Sequence, residues 1–258
     1  VRTFYRGDEG YPGKLQYVRE QFQAHGLHFL GLQESRCDQG TSFQNHIYRI
    51  ASGHHGGHLG VELWVNLDQP YAQRGTSSRY FKRSDFVVVS QSPRHLLVHA
   101  QNEDLDFWLL SAHAPHGGTA QDVRESWWNQ MSQLIHEHVR HGDLLTMIDA
   151  NARSGRTDEI HVFENDDTAN TNTGLFREFL AEHNLCAPAT AAQHEGERTT
   201  WLHPNEDREY RIDYVLVPTS WHASCLKSCS LDHLDLDIWE TIVQWQLNFN
   251  GMGPPPCL

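Results

Sequence analysis

The sequence predicts a layered α/β fold in which two β-sheets pack together with helices outside them. Three observations predict it. Strand-like segments outnumber helical ones, the helical segments are spread between the strands, and several apolar runs stop abruptly on a polar side chain. In α/β proteins the space beyond strand ends is where ligands sit. The chain has 258 residues, enough to bury roughly three quarters of its unfolded surface. No Pro/Gly/Ser linker, charge block or internal repeat divides it, so we read one domain over 1–250. The remainder, 251–258, contains three consecutive prolines and reads as a disordered tail.

The elements follow in order. Leu15, Val18 and Phe22 recur at helical spacing, and Gly26 sits where that helix stops. Phe29-Leu30-Gly31-Leu32 is a short apolar run that ends on Gln33-Glu34. His54, His55 and His58 lie in a glycine-rich loop before Val61–Val65, a period-two strand; lacking a carboxylate or cysteine partner, they read as hairpin decoration. Phe86–Val89 and His95–His99 are further strands. Trp108–Ala112 runs into His113, with Pro115 ending the strand. Val123, Trp127, Trp128, Met131, Leu134, Ile135 and Val139 form the apolar stripe of a helix over 122–140. Leu144–Ile148 stops on Asp149, and alternation along an extended chain would put Asp149 and Asn151 on one side. Thr173–Leu185 reads as a helix with Asn184 as its stop. Arg211–Val217 is a strand with Asp213 near its start, and Ile242–Phe249 alternates as a last strand.

Glu34, His113, Asp149 with Asn151, and Asp213 thus stand at or near the ends of four predicted strands, with Asp232 and His233 further on. One such ending is an ordinary turn, but several suggest a single pocket. Carboxylates with few cysteines suit a hard cation, Mg²⁺ or Mn²⁺, rather than zinc. The five cysteines have no CxxC spacing, which supports neither structural zinc nor a disulfide framework and suggests a reducing, intracellular setting. A net charge of -13 argues against broad phosphate binding by a basic surface, although a bound cation inverts the local sign of a carboxylate pocket. No apolar run reaches the roughly 18 residues of a membrane span. Val1–Arg6 is no signal peptide, and the missing initial Met reads as a trimmed or partial chain.

Taken together, Leu30-Gly31-Leu32-Gln33-Glu34, Ser111-Ala112-His113-Ala114-Pro115, Ile148-Asp149-Ala150-Asn151, Thr199-Thr200-Trp201, Arg211-Ile212-Asp213-Tyr214 and a late Asp232-His233 occur in an order that resembles the endonuclease/exonuclease/phosphatase superfamily. Within it the likeness is to endonuclease domains of LINE-type, non-LTR retrotransposons, especially over Asn170–Leu185. The resemblance covers about Phe4 to Phe249. It implies a four-layered, DNase I-like α/β sandwich and Mg²⁺- or Mn²⁺-dependent phosphodiester hydrolysis on DNA. Carried over, Glu34 and Asp232 would be metal-site residues, and Asp149 would orient or deprotonate the attacking water. Asn151 would hold the phosphate and nucleophile, and His113 would contact the phosphate. Asp213 would orient His233 as the base, while Thr200 and Trp201 would line the substrate side. An Asn that such proteins carry on a first strand would fall just before Val1.

Two registers of the last segment compete. If His233–Ile238 is itself the strand, His233 is the base. If Ile242–Phe249 is aligned instead, Ile238 and Trp239 fall where Asp and His belong. The leading functional reading is a nuclear DNA-nicking domain that would precede a reverse transcriptase in a longer parent. A phosphatase or phosphodiesterase on small or lipid phosphoesters competes with it, as does a catalytically degenerate binding module.

Overall fold

A computed structural model describes residues 13–153, 170–191, 194–197, 199–203, 208–224, 228–230 and 243–244. Asp232, His233, most of Ile242–Phe249 and the 251–258 tail lie outside the described residues.

The first half of the chain runs α1 (Lys14–Ala24), β1 (Phe29–Gln33), β2 (Gly40–Gln44), β3 (Ile47–Ala51), β4 (Val61–Asn66), β5 (Pro70–Arg74), β6 (Ser77–Tyr80), β7 (Phe86–Ser92), β8 (His95–Gln101) and β9 (Asp106–His113). Then come α2 (Gln121–His138), β10 (Asp143–Asp149), α3 (Thr173–Glu182), β11 (Leu185–Cys186), β12 (Trp201–Leu202), β13 (Glu209–Tyr210), β14 (Asp213–Pro218), β15 (Cys229–Ser230) and β16 (Val243–Gln244). One four-stranded antiparallel sheet has the order β1-β4-β3-β2. A six-stranded mixed sheet has the order β11-β14-β10-β9-β8-β7, with β9 and β10 parallel.

Three apolar clusters stack these elements into four layers. Val18 and Phe22 of α1 pack on Leu30, Leu32, Ile47 and Trp64, the outer face of the first sheet. Ile50, Val61, Leu63 and Val65 meet Val98, Leu109, Leu145 and Met147 between the sheets. Trp128, Met131 and Ile135 of α2, with Phe176 and Phe179 of α3, cover Leu110, Ile148 and Leu216 on the far face of the second sheet. The architecture is an α/β sandwich of the DNase I-like type, as expected.

Two local readings change. Every residue of β4 is buried, Glu62 included, because the strand lies inside its sheet with α1 on one face and the second sheet on the other. Its alternation therefore does not separate core from solvent. Glu62 accepts hydrogen bonds from Arg49 (2.8 and 2.9 Å) and from Trp64 Nε1 (2.7 Å). Secondly, α3 ends at Glu182. Asn184 takes a left-handed φ of 51°, and Leu185 is a strand residue paired with Pro218. The three-histidine loop closes as a tight turn in which His55 and His58 exchange backbone hydrogen bonds of 2.8 and 3.0 Å.

Candidate active site

Strand register builds the site. Across the second sheet, Asp149 of β10 is directly opposite His113 of parallel β9 and Asp213 of antiparallel β14. Side chains directly opposite one another share a face, so Asp213, Asp149 and His113 form one row. Val215 and Met147, two residues along their strands, and Leu109, four residues along β9, are on the same face and in the inter-sheet core. The row is therefore the polar mouth of that core. Glu34 reaches it from the other sheet, one residue beyond β1. Gln33 Nε2 fastens the two sheets there by donating to Met147 O (3.2 Å) and Ser111 Oγ (3.3 Å).

The backbone at Glu34 is unusual. Glu34 and Arg36 have φ of 56° and 54°, in the left-handed region that costs a non-glycine residue roughly 1 kcal/mol or more. Ser35 and Arg36 donate their N–H groups to Gly60 and Leu59 carbonyls, at 3.1 and 2.9 Å. A Cβ on Gly60, itself at φ 94°, would lie 3.1 Å from both Arg36 N and Ser35 Oγ. The loop before β4 thus holds Glu34 in place from behind.

His113 stands between two carboxylates. Its Nδ1 is 3.5 Å from Glu34 Oε1 and its Nε2 is 3.5 Å from Asp149 Oδ2. Among the described residues Nδ1 is buried without a hydrogen-bond partner. Burial, with the nearby Arg94 charge, pushes the imidazole down to about 4, against the pull of Glu34. Burial lifts the Asp149 carboxyl to about 6, and Asp213, buried and facing the Asp149 charge, to about 8. Arg94, in the turn between β7 and β8, donates Nη1 to the His113 carbonyl (3.1 Å) and feels both Glu34 and Asp149.

Asn151 reaches this neighbourhood by a different route from the one its spacing suggests. It lies outside β10 with φ 47°, and its N–H donates to Asp149 Oδ1 at 2.9 Å in a tight turn. Strand alternation is not what relates the two. Its side-chain amide donates to Ala114 O (2.9 Å), while its carbonyl accepts from Asn170 Nδ2 (2.8 Å) and Asn172 Nδ2 (3.2 Å). Buried Asn172 also donates to Pro115 O at 2.7 Å, so it clasps the chain after β9 to the chain after β10.

Thr200 is buried, and its hydroxyl accepts from Ile212 N (3.0 Å) and Asp213 N (3.2 Å), which sets the start of β14. Trp201 is half-buried beside Tyr210, and the Arg153 guanidinium lies over both rings, 5.9 Å from Trp201 and 3.8 Å from Tyr210. Glu34, His113, Asp149 and Asp213 are therefore gathered at one mouth, with Asn151 and Thr200 in the turns that frame it. Asp232 and His233 lie outside the described residues. Arg94, Gln33, Asn170 and Asn172 escaped the motif reading. Arg94 is an ordinary turn residue in sequence, and amides in an Asn-Thr-Asn run look like helix-start polarity until their carbonyl partners are known.

The fold has counterparts among solved structures. The endonuclease domain of TRAS1, a telomere-specific non-LTR retrotransposon, superposes with a TM-score of 0.59 at 14% identity, over 90% of this chain and 92% of that one. AP endonuclease LMAP from Leishmania major gives 0.64 at 11%, over 92% and 84%. The 3'-5' exonuclease NExo from Neisseria meningitidis gives 0.61 at 15%, over 92% and 95%. The chain has the DNase I-like α/β-sandwich fold of these structures. No protein-family model matches the sequence, and no curated protein does. In this fold, identity as low as that leaves the sandwich as the common ground, and function has to be argued from the mouth itself.

Proposed function

We propose that this chain is a divalent-cation-dependent phosphodiester hydrolase that nicks DNA. The observation that carries the reading is the row Asp213–Asp149–His113 facing Glu34 across the mouth of the two sheets. The chemistry of these groups fits a hard cation. Three carboxylates converge there, and burial first, with the neighbouring carboxylate charges second, makes Asp149 and Asp213 hold their protons above the ordinary range. The partnerless His113 Nδ1 adds a buried polar atom at the same place. Glu34 is the described residue that would hold Mg²⁺ or Mn²⁺, with Asp232 as the further candidate. When bound, that ion supplies charge neutralisation at the phosphate.

The residues' own roles follow from position. Asp149, ionised above about pH 6, accepts the proton of a water as its oxygen attacks phosphorus, and the P–O bond to the sugar oxygen of the cut strand breaks, that oxygen taking a proton from solvent. The Asn151–Asn170–Asn172 amide cluster keeps that carboxylate aimed by locking both chain segments beyond the strands. His113, neutral at physiological pH, is a hydrogen-bonding contact for the phosphate. Arg153, stacked on Tyr210, offers a cation to the DNA backbone beside the pocket. His233, with Asp213 as its orienter, is the second candidate base.

The finer assignment, a retrotransposon-derived nicking domain acting in the nucleus ahead of a reverse transcriptase, draws on the Asn170–Leu185 likeness and on the TRAS1 domain as a structural neighbour. The net charge of -13 favours a second reading, hydrolysis of a small phosphoester that needs no basic surface. Supercoiled-plasmid nicking with Mg²⁺ or Mn²⁺ separates the two. Nicking should fall by roughly 10²-fold or more in Asp149→Asn and Glu34→Gln. Cleavage of small phosphomonoesters without plasmid nicking would transfer the proposal to the second reading. Nicking that survives in Asp149→Asn would end the first.

A further inference from the structure

The end of the sandwich away from the mouth holds a second group of ligand-type side chains. β10 ends at Asp149, and Asn172, immediately before α3, donates to the Asn151 carbonyl just beyond that strand. Ten residues of α3 then carry the chain roughly 15 Å along the sheet to Glu182 and His183. There they meet His136, in the last turn of α2. Glu182 Oε1 is 3.6 Å from His136 Nε2, and Glu182 Oε2 is 3.9 Å from His183 Nε2. One ligand atom from each of the three residues lies within 4.8 Å of the others, and among the described residues they are the group so arranged.

These spacings suit one particular kind of ion. Zinc bonds to nitrogen and carboxylate oxygen of about 2.0–2.2 Å imply tetrahedral ligand separations of about 3.3–3.5 Å. The two Glu–His distances, each to a different Glu182 oxygen, are within a few tenths of that, so binding through one oxygen needs a rotation of the half-exposed Glu182 carboxylate. Two imidazoles and one carboxylate also match the three-protein-ligand set that leaves zinc a fourth position, whereas Mg²⁺ and Ca²⁺ prefer oxygen shells. Ser132 is already in the supporting place. Its hydroxyl donates to Glu182 Oε2 at 2.8 Å and lies 3.0 Å from His183 Nε2. Ligation needs His183 to carry its ring proton on Nδ1, so that Nε2 faces the ion, and Ser132 keeps its bond to Glu182. The exposed side chains of His136 (60%) and Glu182 (44%) open the site to solvent, while the His183 side chain (4%) anchors it.

We propose that His136, Glu182 and His183 form a zinc-class transition-metal site that clamps α2 to α3, separate from the carboxylate mouth. The test is zinc titration of the full, chelator-stripped chain against a chromophoric zinc indicator, with excess Mg²⁺ present to occupy the mouth. The tightest zinc equivalent should weaken by roughly tenfold or more in His136→Gln and in Glu182→Gln, and persist in Glu34→Gln. Co²⁺ in the same titration should give the intense visible bands of a tetrahedral site, lost in His136→Gln. Both substitutions fall on exposed side chains, and circular dichroism checks that the fold survives them. Zinc affinity unchanged in His136→Gln, or loss of the tight equivalent in Glu34→Gln alone, would overturn the site, as would absence of any tight equivalent in the unsubstituted chain. Because the readout is metal binding, it stands or falls independently of nicking.

Discussion

Asp213 shows how one residue given a proposed catalytic role also carries a cost in stability. Its carboxyl is confined between Asp149 and the start of β14, where burial first and the Asp149 charge second raise it from 3.8 to about 8. Without a cation, the folded state binds a proton there that the unfolded chain releases above about pH 4. Folding stability contributed by that proton is present at low pH and is lost as pH rises through about 8. We expect the thermal midpoint of the metal-free protein to fall between pH 6.5 and 8.5, and Asp213→Asn to flatten that slope while abolishing nicking. A slope unchanged in Asp213→Asn would show that the carboxyl is not the group responsible. Arg49 makes the opposite case. It forms two hydrogen bonds to Glu62, whose side chain is wholly inaccessible. Arg49→Leu would strand that charge, with an expected loss of about 3–5 kcal/mol in urea unfolding. A loss under about 1 kcal/mol would mean that Glu62 takes up a proton or finds another partner.

At the scale of elements, the site depends on how closely β1 approaches β10. Gly31 leaves no room for a side chain, since a Cβ there would collide with Met147 Cβ. The bare backbone lets Gln33 reach across to Met147 O and Ser111 Oγ, and Glu34 follows it to the mouth. Gly31→Ala should act as a wedge, costing roughly 1–3 kcal/mol and lowering kcat through displacement of Glu34. Denaturant unfolding and steady-state nicking measured on the same preparation check both effects. Full activity in a destabilised Gly31→Ala would show that Glu34 is placed by its own turn and not by the sheet contact.

At the scale of the whole molecule, the proposed DNA nicking by an acidic chain requires binding through few phosphate contacts. Each neutralised phosphate contributes about 0.9 to the slope of log affinity against log salt. We expect a shallow slope, with magnitude of about 1–3, reduced by about one in Arg153→Ala. Fluorescence anisotropy of a labelled duplex in Ca²⁺ at several salt concentrations gives both slopes. A steep slope untouched by Arg153→Ala would place the DNA on some other face. The second reading, a small phosphoester, corresponds to no measurable duplex binding at all.

Two packed sheets with helices outside, and the polar strand endings, were legible in the amino-acid sequence. Hydrophobic periodicity is local, so the α2 stripe, the β9 and β10 runs, and the Gly26 and Asn184 stops could be read residue by residue. The abrupt endings at Glu34, His113 and Asp149 were legible too, because a strand that stops on a charge is visible without knowing its neighbours. The relations between these segments came from the folded molecule. Register between strands distant in sequence put Asp213 and His113 on either side of Asp149. Packing of one sheet on the other brought Glu34 to them and buried both faces of β4, which alternation alone had suggested were different. The left-handed backbone at Asn151 replaced an expected strand alternation with a turn, since the chain must leave β10 to be clasped by Asn170 and Asn172. Pairing register, sheet approach and buried charge are properties of surfaces that meet, and no single segment of sequence contains both surfaces.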